Sequence, residues 1–191
     1  MAKMKRQPLV VYTVGHSTRE LSVFLELLKG HGIKQLVDVR TIPRSLKNPQ
    51  YNAEALAQTL RAASIRYVHL AALGGLRRPA RDSINTGWRN ASFRGFADYM
   101  QSAEFEKGLE RLLNLASARP AAIMCAEAVP WRCHRSLIAD ALTVRGARVM
   151  HIFSPGTARE HTLTSFAQVR GTRISYPKVT GGAATLLINW K

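Results

Sequence analysis

The stretch LVVYTVGHSTRELSVFLELLKGHG, Leu9 to Gly32, decides how the rest of the chain is read. LVVYTV is β-branched and aromatic, short, and followed at once by Gly15-His16-Ser17, which marks it as a first strand rather than the apolar core of a signal peptide. Ser17-Thr18-Arg19-Glu20 then reads as a capping box, and Leu21, Phe24, Leu25 and Leu28 fall on one face of a helix that Gly30 and Gly32 stop. A strand followed directly by an amphipathic helix is the first half of a βαβ unit.

The pattern repeats down the chain. QLVDVR, Gln35 to Arg40, is a second strand; Pro43 and Pro49 interrupt regular structure, and Asn52 caps a helix running through Leu60. IRYVHL, Ile65 to Leu70, is a third strand, AAIMCAE, Ala121 to Glu127, a fourth, and ARVMHIF, Ala147 to Phe153, a fifth. Helical sequence is expected from Phe96 to Ala116 and from His134 to Leu142. Such alternation predicts an α/β fold: an open, mainly parallel sheet of about five strands with helices on both faces, because parallel neighbours require a crossover. Residues 1–170 are expected to form this domain and 171–191 a C-terminal extension, with TLLINW near its end an edge strand and the Gly-rich segments flexible.

Composition narrows the function classes. A chain of 191 residues buries enough apolar surface to fold without staples, so its two cysteines are not needed as a disulfide. With no secretory segment and no apolar run of about 18 residues, a cytoplasmic protein with no membrane role is expected. The 28 Lys and Arg against 12 Asp and Glu give a formal charge of +16, which attracts anionic small molecules or nucleic acid. A long connection, Gly74 to Phe96, concentrates arginines, Arg89 among them, with Trp88, Phe93 and Phe96.

Reactive side chains fall just past the carboxyl ends of successive strands, where open α/β sheets bind ligands. Strand one ends in His16, strand two carries Asp38 and Arg40 and leads to Arg44, strand three ends in His69, and strand four ends in Cys125 and Glu127. If strand four extends to Glu127, that carboxylate shares a face with Cys125. Cys133, His134 and Arg135 follow at the start of the next helix, where free N–H groups favour anions and thiolates. Each residue also has a purely structural reading: His16 bonded to a loop, Asp38 paired with Arg40 or Arg44, His69 a core imidazole.

Several chemistries compete for MCAEAVPWRCHRS, Met124 to Ser136. A thiol-phosphatase loop needs a tight anion nest, but six residues separate Cys125 from Arg132 and none is glycine. A zinc site of Cys125, Cys133 and His134, completed by His16, lacks the paired Cys-x-x-Cys spacing. A Cys125–Cys133 redox pair and two simple packing thiols are further readings.

GHSTRELSVFLELL, DVRTIPRS, HLAALGGLR, WRNASFRGFADYM and CAEAVPWRCHRSLIADAL together resemble the bacterial family called domain of unknown function 488, over Tyr12 to Thr164. The resemblance implies a shared fold and a shared set of motif positions, His16, Asp38, Arg40, Pro43, Arg44, Cys125, Glu127, Cys133, His134 and Arg135, but no reaction. The expectation adopted is an enzyme, a hydrolase or transferase, acting on a nucleotide or nucleic-acid-type substrate in an anion-binding cleft. Glu127, Cys125, His16 and Asp38 are assigned to catalysis; Arg40, Arg44, Cys133, His134, Arg135 and Arg89 to anion binding; no metal or other cofactor is assigned. The absence of a Gly-x-Gly-x-x-Gly loop after strand one weighs against hydride transfer. The alternative is a non-catalytic nucleic-acid binder whose arginines track phosphates while Trp88 and its neighbours stack on bases.

Overall fold

The computed structural model describes residues 7–178. Its centre is a six-stranded sheet in the order β3-β2-β4-β1-β5-β6, from β1 (Val10–Gly15), β2 (Gln35–Asp38), β3 (Arg66–His69), β4 (Ala121–Cys125), β5 (Arg148–Ser154) and β6 (Thr157–Glu160). The first five strands are mutually parallel, and β6 folds back antiparallel to β5. The fold is α/β, as the alternation predicts. β6 is the one strand of this sheet that the pattern does not supply, because TARE lacks apolar alternation and depends on a turn at Pro155-Gly156.

Alternation along β4 explains the two-sided core. Ala121, Ile123 and Cys125 face one cluster with Phe96, Phe105, Leu109, Leu137 and Ile138, while Ala122 and Met124 face a second with Phe24, Leu28, Leu56 and Leu60. Thus α1 (Leu21–Gly30) and α2 (Ala53–Ala62) cover one face. The other is covered by α3 (Ala91–Tyr99), α4 (Ala103–Ala118) and α5 (Arg135–Val144). Small residues in β4 let both layers approach the strand closely.

Local starts and stops differ from expectation where the backbone is used elsewhere. The capping box does not form: α1 begins after Glu20 without a side-chain cap, and Ser17 has φ 51° with its N–H donated to the Ala126 carbonyl at 2.7 Å. That bond continues the β1–β4 pairing past the strand end, and it takes Ser17 away from the helix. Asn52 likewise precedes α2 without capping it, since its Oδ1 accepts from the Ser45 N–H at 2.7 Å. The expected helix from Phe96 onward is two helices, with Asn90 and Ser102 supplying true N-caps.

The boundary expected at residue 170 falls inside a hairpin. β7 (Gln168–Arg170) and β8 (Arg173–Ser175) pair across a turn in which Gly171 has φ 61°. Ile174 and Tyr176 beyond it are buried in the main core, Tyr176 against Trp88 and Phe166. TLLINW lies outside the described residues. No helix among the described residues is long and apolar enough to cross a membrane.

Behind the sheet, Asp140 of α5 is fully buried and is satisfied by four donors: His161 Nε2, Thr164 N, Thr164 Oγ1 and the Tyr176 hydroxyl. The bond to Asp140 fixes the His161 tautomer, so His161 Nδ1 accepts from His151 Nε2 at 2.9 Å, and His151 Nδ1 in turn accepts from the Thr13 hydroxyl at 2.7 Å. Burial, aided by His161 and Arg135, holds the His151 pKa down at about 4, with Asp140 acting in the opposite sense. An unfolded histidine binds its proton near about 6.5. Between these values the unfolded chain holds more protons, so His151 makes stability fall as pH drops from about 6.5 to about 4, by up to about 3 kcal/mol. Urea midpoints measured at several pH values in this window should therefore fall less steeply for His151→Gln than for the wild type; equal slopes would exclude the assignment.

Candidate functional site

Three strand ends, those of β1, β2 and β4, lie side by side at one edge of the sheet, and above them opens a cavity of about 650 Å³. His16, Arg40, Arg44, Cys125, Glu127, Cys133 and His134 line it. These side chains come from three separate parts of the sequence. The chain reaches them through its β-α alternation, not through any local motif.

Asp38 and Arg135 lie behind this wall instead of on it. Asp38 is fully buried: Oδ1 accepts from the Arg40 N–H and Nε, and Oδ2 accepts from Arg40 Nη2 at 2.6 Å and from the Tyr67 hydroxyl at 2.8 Å. All its acceptor capacity is used, so its expected acid/base role gives way to the structural one of fixing Arg40. Arg40 also donates to the Tyr51 carbonyl. Burial opposes its charge, but the Asp38 hydrogen bonds and negative field prevail and raise its pKa. Arg40 is therefore a braced cation with one edge at the cleft.

Arg135 is 1 % exposed, which removes it from the anion-binding set. Its Nη2 donates to the Glu127 carbonyl at 2.5 Å and its Nη1 to the Thr13 hydroxyl at 3.4 Å. β4 ends at Cys125, so Glu127 lies on the loop and not on the strand face with Cys125. Arg135 holds that loop by its backbone, and the Glu127 side chain is left exposed at the cleft. Arg89 is exposed on a separate shallow surface beside Thr86, Phe166 and Lys178.

His16 is 2 % exposed and stacks on Tyr51 with ring centroids 4.1 Å apart. Its Nδ1–H donates to the Ser17 carbonyl, and Nε2 accepts a long bond from Arg40 Nη1 at 3.4 Å. Burial is the main reason its pKa is lowered to about 4, so the ring is neutral at pH 7. His69 is half-buried and donates to the Arg40 carbonyl at 2.8 Å.

At the floor, His134 Nε2 donates to the Val39 carbonyl at 3.1 Å, which leaves Nδ1 as an acceptor. That nitrogen faces both thiols, 3.9 Å from Cys125 Sγ and 3.6 Å from Cys133 Sγ. The neighbouring Cys133 and burial push the Cys125 thiol's pKa up. Cys125, with His134 and Arg135 nearby, outweighs burial and pulls the Cys133 pKa down. Cys133 also stands at the N-terminal end of α5, where the helix dipole acts in the same direction. Of the two thiols Cys133 is thus the more acidic, whereas the expectation names Cys125 as the nucleophile.

Sequence reasoning missed part of the wall. Arg132 is exposed in the cleft, and Thr41, Asn48, Gly75 and Phe93 also line it. Asn90, the α3 cap, was the available signal for Phe93, since a cap places the first helical turn against its loop. Of the aromatics expected to stack on bases, Trp88 packs on Phe93, Phe166 and Tyr176 and Phe96 is fully buried, while Phe93 is half-buried and lines the cleft.

A parallel α/β sheet with a polar cleft at its carboxyl edge and a Cys-Cys-His floor defines the class of protein. The chain belongs to the family described as Domain of unknown function DUF488, whose sequence pattern matches residues 20–142. All the cleft positions above except His16 fall within that span. No curated protein and no solved structure matches the chain.

Gly15 is the tightest point of the site. A Cβ there would collide with the Glu127 carbonyl and lie 2.8 Å from Arg135 Nη2. Gly15→Ala should lower stability by about 1–3 kcal/mol in urea unfolding, because the β4 loop must move off β1; an unchanged midpoint would show that the approach is not tight.

Proposed function

We propose that the protein is an enzyme that binds an anionic, nucleotide-sized substrate in this cleft and cleaves or transfers a group by acid/base chemistry. The observation that carries the reading is the composition of the cleft wall. Exposed Arg44 and Arg132 offer charge to phosphate or carboxylate, and exposed Ile42 and Leu76 offer apolar surface to a base or similar ring. Glu127 is the carboxylate that reaches the same space. A volume of about 650 Å³ suits a ligand of that size.

Glu127 takes the role of general acid or base. Its carbonyl is clamped by Arg135, so the backbone is fixed while the side chain projects from a defined point. Asp38 contributes by bracing Arg40, and Arg135 by bracing the loop. The alternative of a non-catalytic nucleic-acid binder retains the basic charge, but two of its stacking residues, Trp88 and Phe96, are used in packing.

Screening nucleotide phosphoesters and N-glycosides is the first test. With a responsive substrate, Glu127→Gln should lower kcat by about 10²–10⁴-fold, since it is isosteric and exposed, while leaving the melting temperature unchanged. Arg44→Met with Arg132→Met should instead raise KM and flatten its dependence on salt. Full activity of Glu127→Gln would overturn the acid/base role; nucleic-acid affinity that falls with salt, with no turnover of any substrate, would favour the binder.

A further inference from the structure

We propose that Cys125, Cys133 and His134 form a zinc-binding site, with two sulfurs and one imidazole nitrogen as ligands and a fourth position open to the cleft. The inference stands independently of the reaction proposed above, because metal uptake is measurable without a substrate.

The geometry carries it. The three ligand atoms lie within 4.8 Å of one another. With Zn–S bonds of about 2.3 Å and a Zn–N bond of about 2.0–2.1 Å, a tetrahedral site has S···N edges of about 3.6 Å and an S···S edge of about 3.8 Å. The observed S···N separations are 3.6 Å and 3.9 Å. The S···N edges already fit to a few tenths of an ångström, and a divalent ion can enter if the two sulfurs, no more than 4.8 Å apart, draw together by up to about 1 Å.

The nitrogen is already prepared as a ligand. A zinc-bound imidazole characteristically donates its other N–H to a carbonyl or carboxylate, which fixes tautomer and ring orientation. His134 makes that bond to Val39 and turns its Nδ1 lone pair toward both thiols. The ring is held by Phe96, 5.0 Å away between centroids, and by Gly75, where a Cβ would come 2.5 Å from Nδ1. The ligands also sit on stiff elements: Cys125 ends the central strand β4, and His134 is the N-cap of the buried helix α5.

Both sulfurs are free, and all three residues border the cleft. His16, the fourth ligand of the zinc reading weighed from the sequence, is turned to the Ser17 carbonyl and Arg40. Three protein ligands and one open position is the arrangement of catalytic rather than structural zinc. On binding, two Zn–S bonds form, the thiol protons leave to solvent, and His134 keeps its Nε2 proton; no oxidant or reductant takes part.

The test uses the full chain, reduced and stripped of metal, titrated with Co²⁺ and then with Zn²⁺. One equivalent of Co²⁺ should give tetrahedral d–d bands and a thiolate-to-cobalt charge-transfer band, and Zn²⁺ should displace both signals stoichiometrically. Cys125→Ser or Cys133→Ser should cut the charge-transfer intensity about in half, and each, like His134→Gln, should weaken Zn²⁺ binding by more than about tenfold. Zn²⁺ should also protect both thiols from alkylation. Absence of the charge-transfer band in the wild-type chain would overturn the site, and this reading does not depend on any variant folding. Thiol alkylation unaffected by Zn²⁺ would overturn it equally. Failure of the substrate screen leaves these signals intact.

Discussion

The bond from Arg135 to the Glu127 carbonyl is the constraint on which the cleft depends. It joins the first turn of α5 to the loop that leaves β4, and it does so beside Gly15, where β1 passes too close to that loop for any side chain. The backbone of His16 and Ser17 then pairs with Cys125 and Ala126 beyond the regular strand. Two adjacent strand ends and one helix start are thereby fixed as a unit. Without the guanidinium the Glu127 carbonyl would lose its donor in a partly buried position, which is costly. A buried arginine thus sets where the exposed carboxylate and the two thiols stand.

The same logic holds on the neighbouring strand. Asp38 gives up both oxygens to Arg40 and Tyr67 and has nothing left for chemistry, but the result is a guanidinium held in one orientation at the cleft floor. Buried charge in this protein is spent on position. The groups free to act are those whose partners are few: Glu127, Arg44 and Arg132 at the rim, and the His134 Nδ1 with its two sulfurs below.

The alternation of strands and helices was legible because it is periodic, and with it the cleft at the carboxyl ends of the strands. The side chains that gather there were legible for the same reason: strand ends in a parallel sheet must share an edge. Individual roles were not, because they depend on partners distant in sequence. Nothing near Asp38 in the chain announces Tyr67 as its donor, and nothing near Arg135 announces Thr13. The short edge strand β6 and the hairpin of β7 and β8 also escaped, since neither carries an apolar alternation and both depend on turns. The capping box failed for a related reason: Ser17 satisfies the helix signature locally, but the sheet makes a stronger claim on its backbone.

Among the described residues Arg135 is a buried cation in no ion pair, and Asp140 a buried carboxylate whose only charged-type partner is His161. Between them every donor points the same way, from Arg135 to Thr13, from Thr13 to His151, from His151 to His161, and from His161 to Asp140. The two charges are the ends of one polarised chain threaded through the sheet, an ion pair stretched across two imidazoles and a hydroxyl. Tyr176 and Thr164 anchor its acidic end, so the segment that follows β8 and the floor of the cleft belong to a single electrostatic circuit.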